Sequence, residues 1–438
     1  MKRRLKYFFA VFALLTLFLC MSLPFWIFGS ARGVETLLKT VSRYSSVQIS
    51  AKKISQTSDH SINLENLTFS WPQGKVQIRH LFWNYHPLNL LTGRVSLRHL
   101  SARDVEIVDL SPEKPPDLRW PKAPYFIQLF KGDVLDFTVR NVTYRHLKKD
   151  SVSFSEIHAS LLWEDARLRV KSLRLASAQG RVTGDILAGF GSPLLEINLE
   201  ARPSSPLVGM DLFSLQGKFS QGKSPRELMG NLVLLGKSNQ KSLWRLDADA
   251  GMTATGFPLS KIRLQRLGRP DLLTAEGMLT VSGPLPFLKL SAKTQGLDLF
   301  NDFKIPLSLA GSLDFAGTMK NYEGKFSLAN RSKNWQAISI NGSYGGNDQG
   351  LRLKIDQAQA LKGALQGQLN IVWQKQVSIF GHLSGSNLNP AAIDRKWNGV
   401  VNFCAAGQVD FEKDRPVEGK IEVTLLQSRL HGRQLIGQ

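Results

Sequence analysis

Cysteine is nearly absent from the chain. Its 438 residues hold two, Cys20 and Cys404, which excludes a disulfide framework and any thiolate metal centre. Acidic residues are scarce too: Asp and Glu number 35 against 56 Lys and Arg, leaving a net charge of +21. That excess calls for nucleic acid, a membrane surface or a basic strand surface as its explanation. No G-X-Y period is present, so the chain is not collagenous. The low apolar content of a disordered tail is missing as well, since 42% of the residues are hydrophobic and 21% charged. No H-E-x-x-H, no G-x-S-x-G elbow and no lysine-bearing phosphate loop occurs, so no catalytic, cofactor or metal residue is assigned.

The N-terminus carries the compartment signal. Lys2, Arg3, Arg4 and Lys6 are four positive charges with no acid among the first six residues. From Tyr7 to Ala31 there follow 25 residues without a charge. At ~1.5 Å rise per residue such a run reaches about 37 Å, enough to cross a ~30 Å hydrocarbon core. Trp26 stands near its far end, where an interfacial aromatic belongs. Gly29-Ser30-Ala31 would suit a signal-peptide cleavage site, but the run exceeds the 7–15 residues usual for a signal h-region. A single-pass anchor at 1–31 is therefore expected, with the N-terminus cytoplasmic and the bulk outside. That placement removes nucleic acid as a partner.

Past a short amphipathic helix expected over residues 32–45, the hydrophobic period falls from 3.6 to 2. Leu351-Arg352-Leu353-Lys354-Ile355-Asp356 puts aliphatics on one face and charges on the other. Arg167-Leu168-Arg169-Val170-Lys171 repeats the pattern with basic residues outward. Roughly two dozen such stretches are separated by Gly, Asn, Ser and Pro. Residues 111–124 hold five prolines, which cannot donate to a sheet ladder, and are read as a loop. The domains expected are thus an anchor (1–31), an N-terminal module (32–110), the Pro-rich loop (111–124) and a repetitive β region (125–438). Asn389 is placed to cap a short helix at Pro390. Glycines inside strand patterns, such as Gly311 and Gly367, suit a sheet that bends repeatedly. The fold class is mostly β: an extended, curved, largely antiparallel sheet or a β-solenoid.

Two stretches carry a family resemblance. Residues 83–110 (WNYHPLNLLTGRVSLRHLSARDVEIVDL) resemble the AsmA-like superfamily in their W…P-x-x-L-L-x-G strand pair. Residues 380–438, with Asn387-Leu-Asn-Pro390, Trp397-Asn-Gly399 and the closing hairpin LLQSRLHGRQLIGQ, resemble its TamB branch. The resemblance implies an inner-membrane protein with a periplasmic β-taco groove, concerned with outer-membrane biogenesis. Its partners would be phospholipid, the inner membrane and an Omp85-type outer-membrane barrel. The closing TamB domain is not seen before Gln438, so an N-terminal portion or a short relative is expected.

Leu351, Leu353, Ile355, Leu369, Ile371, Val377, Ile379, Val401 and Phe403 are the residues expected to line such a groove. An ordinary packed β core would use the same aliphatics. The basic residues around Arg140 to Arg174 suit solvated strand faces or contact with anionic headgroups or envelope polymers. Function then lies between a non-enzymatic phospholipid conduit and a factor for translocation and assembly of outer-membrane proteins. A polysaccharide-cleaving solenoid would need clustered carboxylates, and the acids here are scattered.

Overall fold

A computed structural model describes residues 29–437 except 59, 91, 112–117, 124–126, 129–130, 148–150, 208, 239–240, 269–271, 282–284, 299–307, 331–337, 374–376 and 412–417. Residues 1–28 of the expected anchor, with Lys2, Arg3, Arg4, Lys6 and Trp26, lie outside the described residues. Among those described, no helix is long and apolar enough to cross a membrane. Strand dominates, and the chain divides into two compact units. The first holds residues 119–230 and nearly everything before them, with 234–242; the second holds most of 243–438.

In the first unit, helix α1 (Ala31–Tyr44) lies within one residue of the expected 32–45. Ser30 caps it, its Oγ accepting from the Gly33 N–H at 2.9 Å. Replacing Ser30 by alanine should cost about 1 kcal/mol of local stability. Faster hydrogen exchange at Gly33 and Val34 would report that loss. Val34 is buried with Ile62, Leu64 and Leu67, so the cap also fixes a corner of the core. There follow β1 (Gln48–Ser50), β2 (Lys53–Ser58), β3 (Ser61–Trp71), β4 (Gly74–Tyr85), the four-residue helix α2 (Pro87–Leu90) and β5 (Arg94–Asp109). The unit continues with β6 (Lys131–His146), β7 (Val152–Glu164), β8 (Arg167–Ser177) and β9 (Gly180–Gly189). It ends with β10 (Leu194–Pro203), β11 (Leu212–Gln221) and β12 (Leu228–Ser238).

β1 and β2 both pair with β3, and later strands pair with their sequence neighbours. The pairing is antiparallel except between β5 and β6, which run parallel. Parallel neighbours need a crossover, and the Pro-rich stretch lies within this one. Trp120 ties down its described part. Trp120 is buried, and its indole N–H donates to the Gly189 carbonyl at 2.7 Å. Its backbone N–H donates to the Arg226 carbonyl at 2.8 Å, and Arg226 Nε returns a bond to the Trp120 carbonyl at 2.7 Å. The ring stacks on Phe190, centroid to centroid 6.1 Å.

The second unit is an unbroken antiparallel succession. It runs β13 (Lys241–Met252), β14 (Gly256–Arg266), β15 (Leu272–Thr280), β16 (Phe287–Asp298) and β17 (Ser308–Thr318). Then come β18 (Asn321–Asn330), β19 (Ser339–Asn347), β20 (Gly350–Ala360), β21 (Gly363–Trp373) and β22 (Val377–Leu388). β23 (Gly399–Phe411), β24 (Glu418–Leu430) and β25 (Arg433–Gly437) close it. Asp348-Gln349 makes the β19–β20 turn, with the Asn347 side chain accepting from the Gln349 and Gly350 N–H groups. Asn389 does cap a 3-10 turn over Pro390–Ala392, accepting from the Ala391 N–H at 3.0 Å. Register shifts recur where single residues turn to positive φ, Lys261 at 49° in β14 and Asn387 at 54° in β22. Each such bulge bends its strand and raises its twist.

Candidate functional site

Directly opposed residues of paired strands share a face, so register converts sequence alternation into a surface. One row of the second unit runs Leu259, Gly277, Leu290, Phe315, Gly324, Tyr344, Leu353, Leu369, Gly381, Gly407 and Ile421, from β14 to β24. None of these carries a charge. Two residues along each strand, a parallel row runs Leu288, Gly317, Tyr322, Gly346, Leu351, Ile371, Ile379 and Val409. Ile355 stands opposite Gly367, which faces Leu383, in a third such row. Val377 is opposite Trp373, Phe403 opposite Gly385, and Val401 opposite Leu388 beyond the bulge at Asn387. All nine aliphatic and aromatic residues named from the sequence therefore fall on one face of β20–β23.

Sequence reasoning missed the aromatic half of this face. Phe315, Tyr322, Tyr344 and Phe326 form a run of neighbouring rings, with centroids 5.7 Å apart for Phe315–Tyr322 and 6.5 Å for Tyr322–Tyr344 and Phe326–Tyr344. Glycines make their beds. A Cβ on Gly324 would come within 2.5 Å of the Tyr344 ring, and one on Gly342 within 2.7 Å of Phe326. The alternation of Gly with Phe or Tyr at opposed positions is visible in the sequence, but only once the strands are in register. Burial pushes the Tyr344 phenol pKa up, with Asp314 adding to the effect, while its O–H donates to the Asp314 carbonyl at 2.9 Å.

The apolar face is not closed over. Ile355 and Phe326 are buried, yet Val377 is 38% exposed, Val423 44% and Ile421 63%. Both buried hydrophobic clusters found among the described residues lie in the first unit. The reverse face of the second unit is charged: Lys289, Glu323 and Arg352 flank the Leu353 row on one side, Glu276, Asp314, Lys325 and Lys354 on the other. A cleft of about 990 Å³ runs along this part of the sheet, lined by Leu259, Leu290, Phe315 and Tyr344 of the row together with flanking Arg352 and Lys354. Asp356, 2.8 Å from Lys354 Nζ, holds that ammonium's pKa above its usual value.

Histidines gather in the first unit instead. His99 and His158 approach Asp136 at 2.7 and 3.4 Å through their Nδ1 atoms, and Thr138 donates to it at 3.0 Å. Burial raises the Asp136 pKa, but the bonds from His99 and Thr138 outweigh it and the value is lowered. Among the described residues, no group of three or more His, Cys, Asp or Glu side chains is arranged to hold a metal ion.

Residues 285–435, about a third of the chain, match the family described as TamB, N-terminal domain. Over those residues the chain carries a TamB-type domain. The matched residues take in most of the apolar rows and nearly all of the 380–438 stretch, whereas 83–110 lies outside them. No curated protein and no solved structure matches. A role in lipid or protein transport comes with the family.

Proposed function

We propose that this chain conducts phospholipid acyl chains along the apolar face of β14–β24, without catalysis, from the inner membrane towards the outer membrane. The observation that carries the reading is the long uncharged row that stays half open to solvent. An ordinary sheet core would be sealed by a second layer, as Val34 and Leu38 of α1 cover Ile62 and Leu64 in the first unit. Each acyl CH₂ kept out of water is worth about 0.8 kcal/mol, so an open apolar strip lowers the cost of moving a chain along it. Headgroups would remain in water at its rim. The uncharged N-terminal run would serve as the inner-membrane anchor, with the strands in the periplasm.

A second reading has its own observation. The antiparallel strands of a TamB-type domain give a template on which outer-membrane strands are handled beside an Omp85-type barrel. Photo-crosslinkers separate the two. A crosslinker at Phe403, on the apolar face, should form adducts with phospholipid, and mass spectrometry of the purified chain should find bound lipid. Protein adducts from Lys420, with no lipid from Phe403, would favour assembly over conduction.

A further inference from the structure

The first unit carries a basic field that the conduit reading leaves unused. β8 sets Leu168 and Val170 on its apolar side, opposite Ala188 and Ile186 of β9. Arg167, Arg169 and Lys171 therefore project from the other side. A bulge at Ser172 (φ 52°), whose N–H donates to Asp185 Oδ1 at 2.9 Å, resets the alternation. Past it Leu173 is buried, and Arg174 returns to the charged side opposite Thr183. Ala176 faces Arg181, and Arg181 stands directly opposite Arg202 of β10. Six cations on three adjacent strands thus share one face, and all six are exposed. None makes an ion pair within 4.0 Å among the described residues.

This is not a general habit of the molecule. On the charged face of the second unit, bases and acids alternate, and Lys354–Asp356 and Lys420–Glu422 are paired at 2.8 and 2.7 Å. Like charges set directly opposite destabilise a sheet, so the Arg181–Arg202 pair works against folding unless an anion lies over it. Of the acids on this face, Asp185 holds the Ser172 amide, Glu196 pairs with Lys218 at 3.2 Å and Glu164, opposite Arg167, pairs with Lys131 at 2.8 Å, which leaves Glu200 beside Arg202.

We propose that this face of β8–β10 docks on the anionic headgroups of a lipid bilayer. The array is two-dimensional, with steps of roughly 4.8 Å across strands and about 6.8 Å along them, which fits a plane of phosphates better than one linear polyanion. Arginine predominates, the residue that grips phosphate through two parallel hydrogen bonds. The proposal stands whatever the apolar face of the second unit carries.

The test uses the full chain, its N-terminus sheltered in a phosphatidylcholine nanodisc, sedimented with vesicles of equal parts phosphatidylglycerol and phosphatidylcholine. Binding should exceed that to pure phosphatidylcholine vesicles and fade as salt is raised. The triple variant Arg169→Gln, Arg174→Gln, Arg181→Gln should bind roughly a hundredfold more weakly, each cation near an anionic surface being worth about fivefold. Lysine at the same three positions should restore most of the binding, and an unchanged unfolding midpoint confirms the fold. A control with Lys289, Lys325 and Arg352 changed to glutamine removes equal charge from the second unit and should keep binding. An equal loss in that control, no preference for anionic vesicles, or capture of dextran sulfate but not of vesicles would each overturn the proposal.

Discussion

Arginine in place of Leu353 is expected to lower phospholipid transfer between vesicles by about tenfold or more, because an unpaired charge set among apolar neighbours is costly to desolvate and invites water into the strip. The position decides the effect. Leu353 stands between Tyr344 and Leu369, midway along an uncharged row eleven strands wide. A guanidinium there would meet no carboxylate on its own face and would interrupt every path along the row. The sheet itself should survive, since Leu353 is only half-buried and the backbone ladder is untouched. The reciprocal change, Arg352→Leu, alters the opposite face and should leave transfer unchanged. Fluorescence dequenching of labelled lipid measures both variants. Equal transfer by wild type and Leu353→Arg would remove the apolar row from the mechanism.

The alternation that pointed to Leu353 is local, which is why it could be read. Period 2 needs only a few consecutive residues, and Leu351 to Asp356 supply them. Register is not local. Nothing within β20 says that Tyr344 will lie opposite Leu353, or that Gly324 will then leave a bed for the tyrosine ring. Glycine inside a strand was legible as a departure from strand preference, but its use was not. At Gly324 and Gly342 the missing Cβ makes room both for the neighbouring strand's carbonyl and for a ring. The same limit hid the Arg181–Arg202 opposition: the two residues lie on neighbouring strands and only pairing sets them face to face. The convergence of His99 and His158 on Asp136 needed the parallel β5–β6 pair, a topology that alternation does not reveal.

Trp120 is the sharpest case of a residue whose weight lay outside local pattern, and its removal should be the most destabilising change in the first unit. Five prolines make the surrounding stretch read as loop, and among loop residues a tryptophan attracts no structural expectation. Yet the fold holds it by three hydrogen bonds and a stacked ring, reaching Gly189 of β9 and Arg226 just before β12. The reason lies in the connection it serves. Parallel strands β5 and β6 oblige the chain to leave the sheet, and Trp120 anchors the described part of that connection. Trp120→Ala should cost about 3–5 kcal/mol, from the lost ring burial and the cavity left behind. Trp120→Phe keeps most of the stacking on Phe190 but strands the Gly189 carbonyl without its indole donor, for a loss of about 1–3 kcal/mol. Urea unfolding of the full chain, followed by tryptophan-independent circular dichroism, would rank the variants. If alanine cost no more than phenylalanine, the crossover would be held by its backbone bonds to Arg226 alone, and the ring would be incidental to the fold.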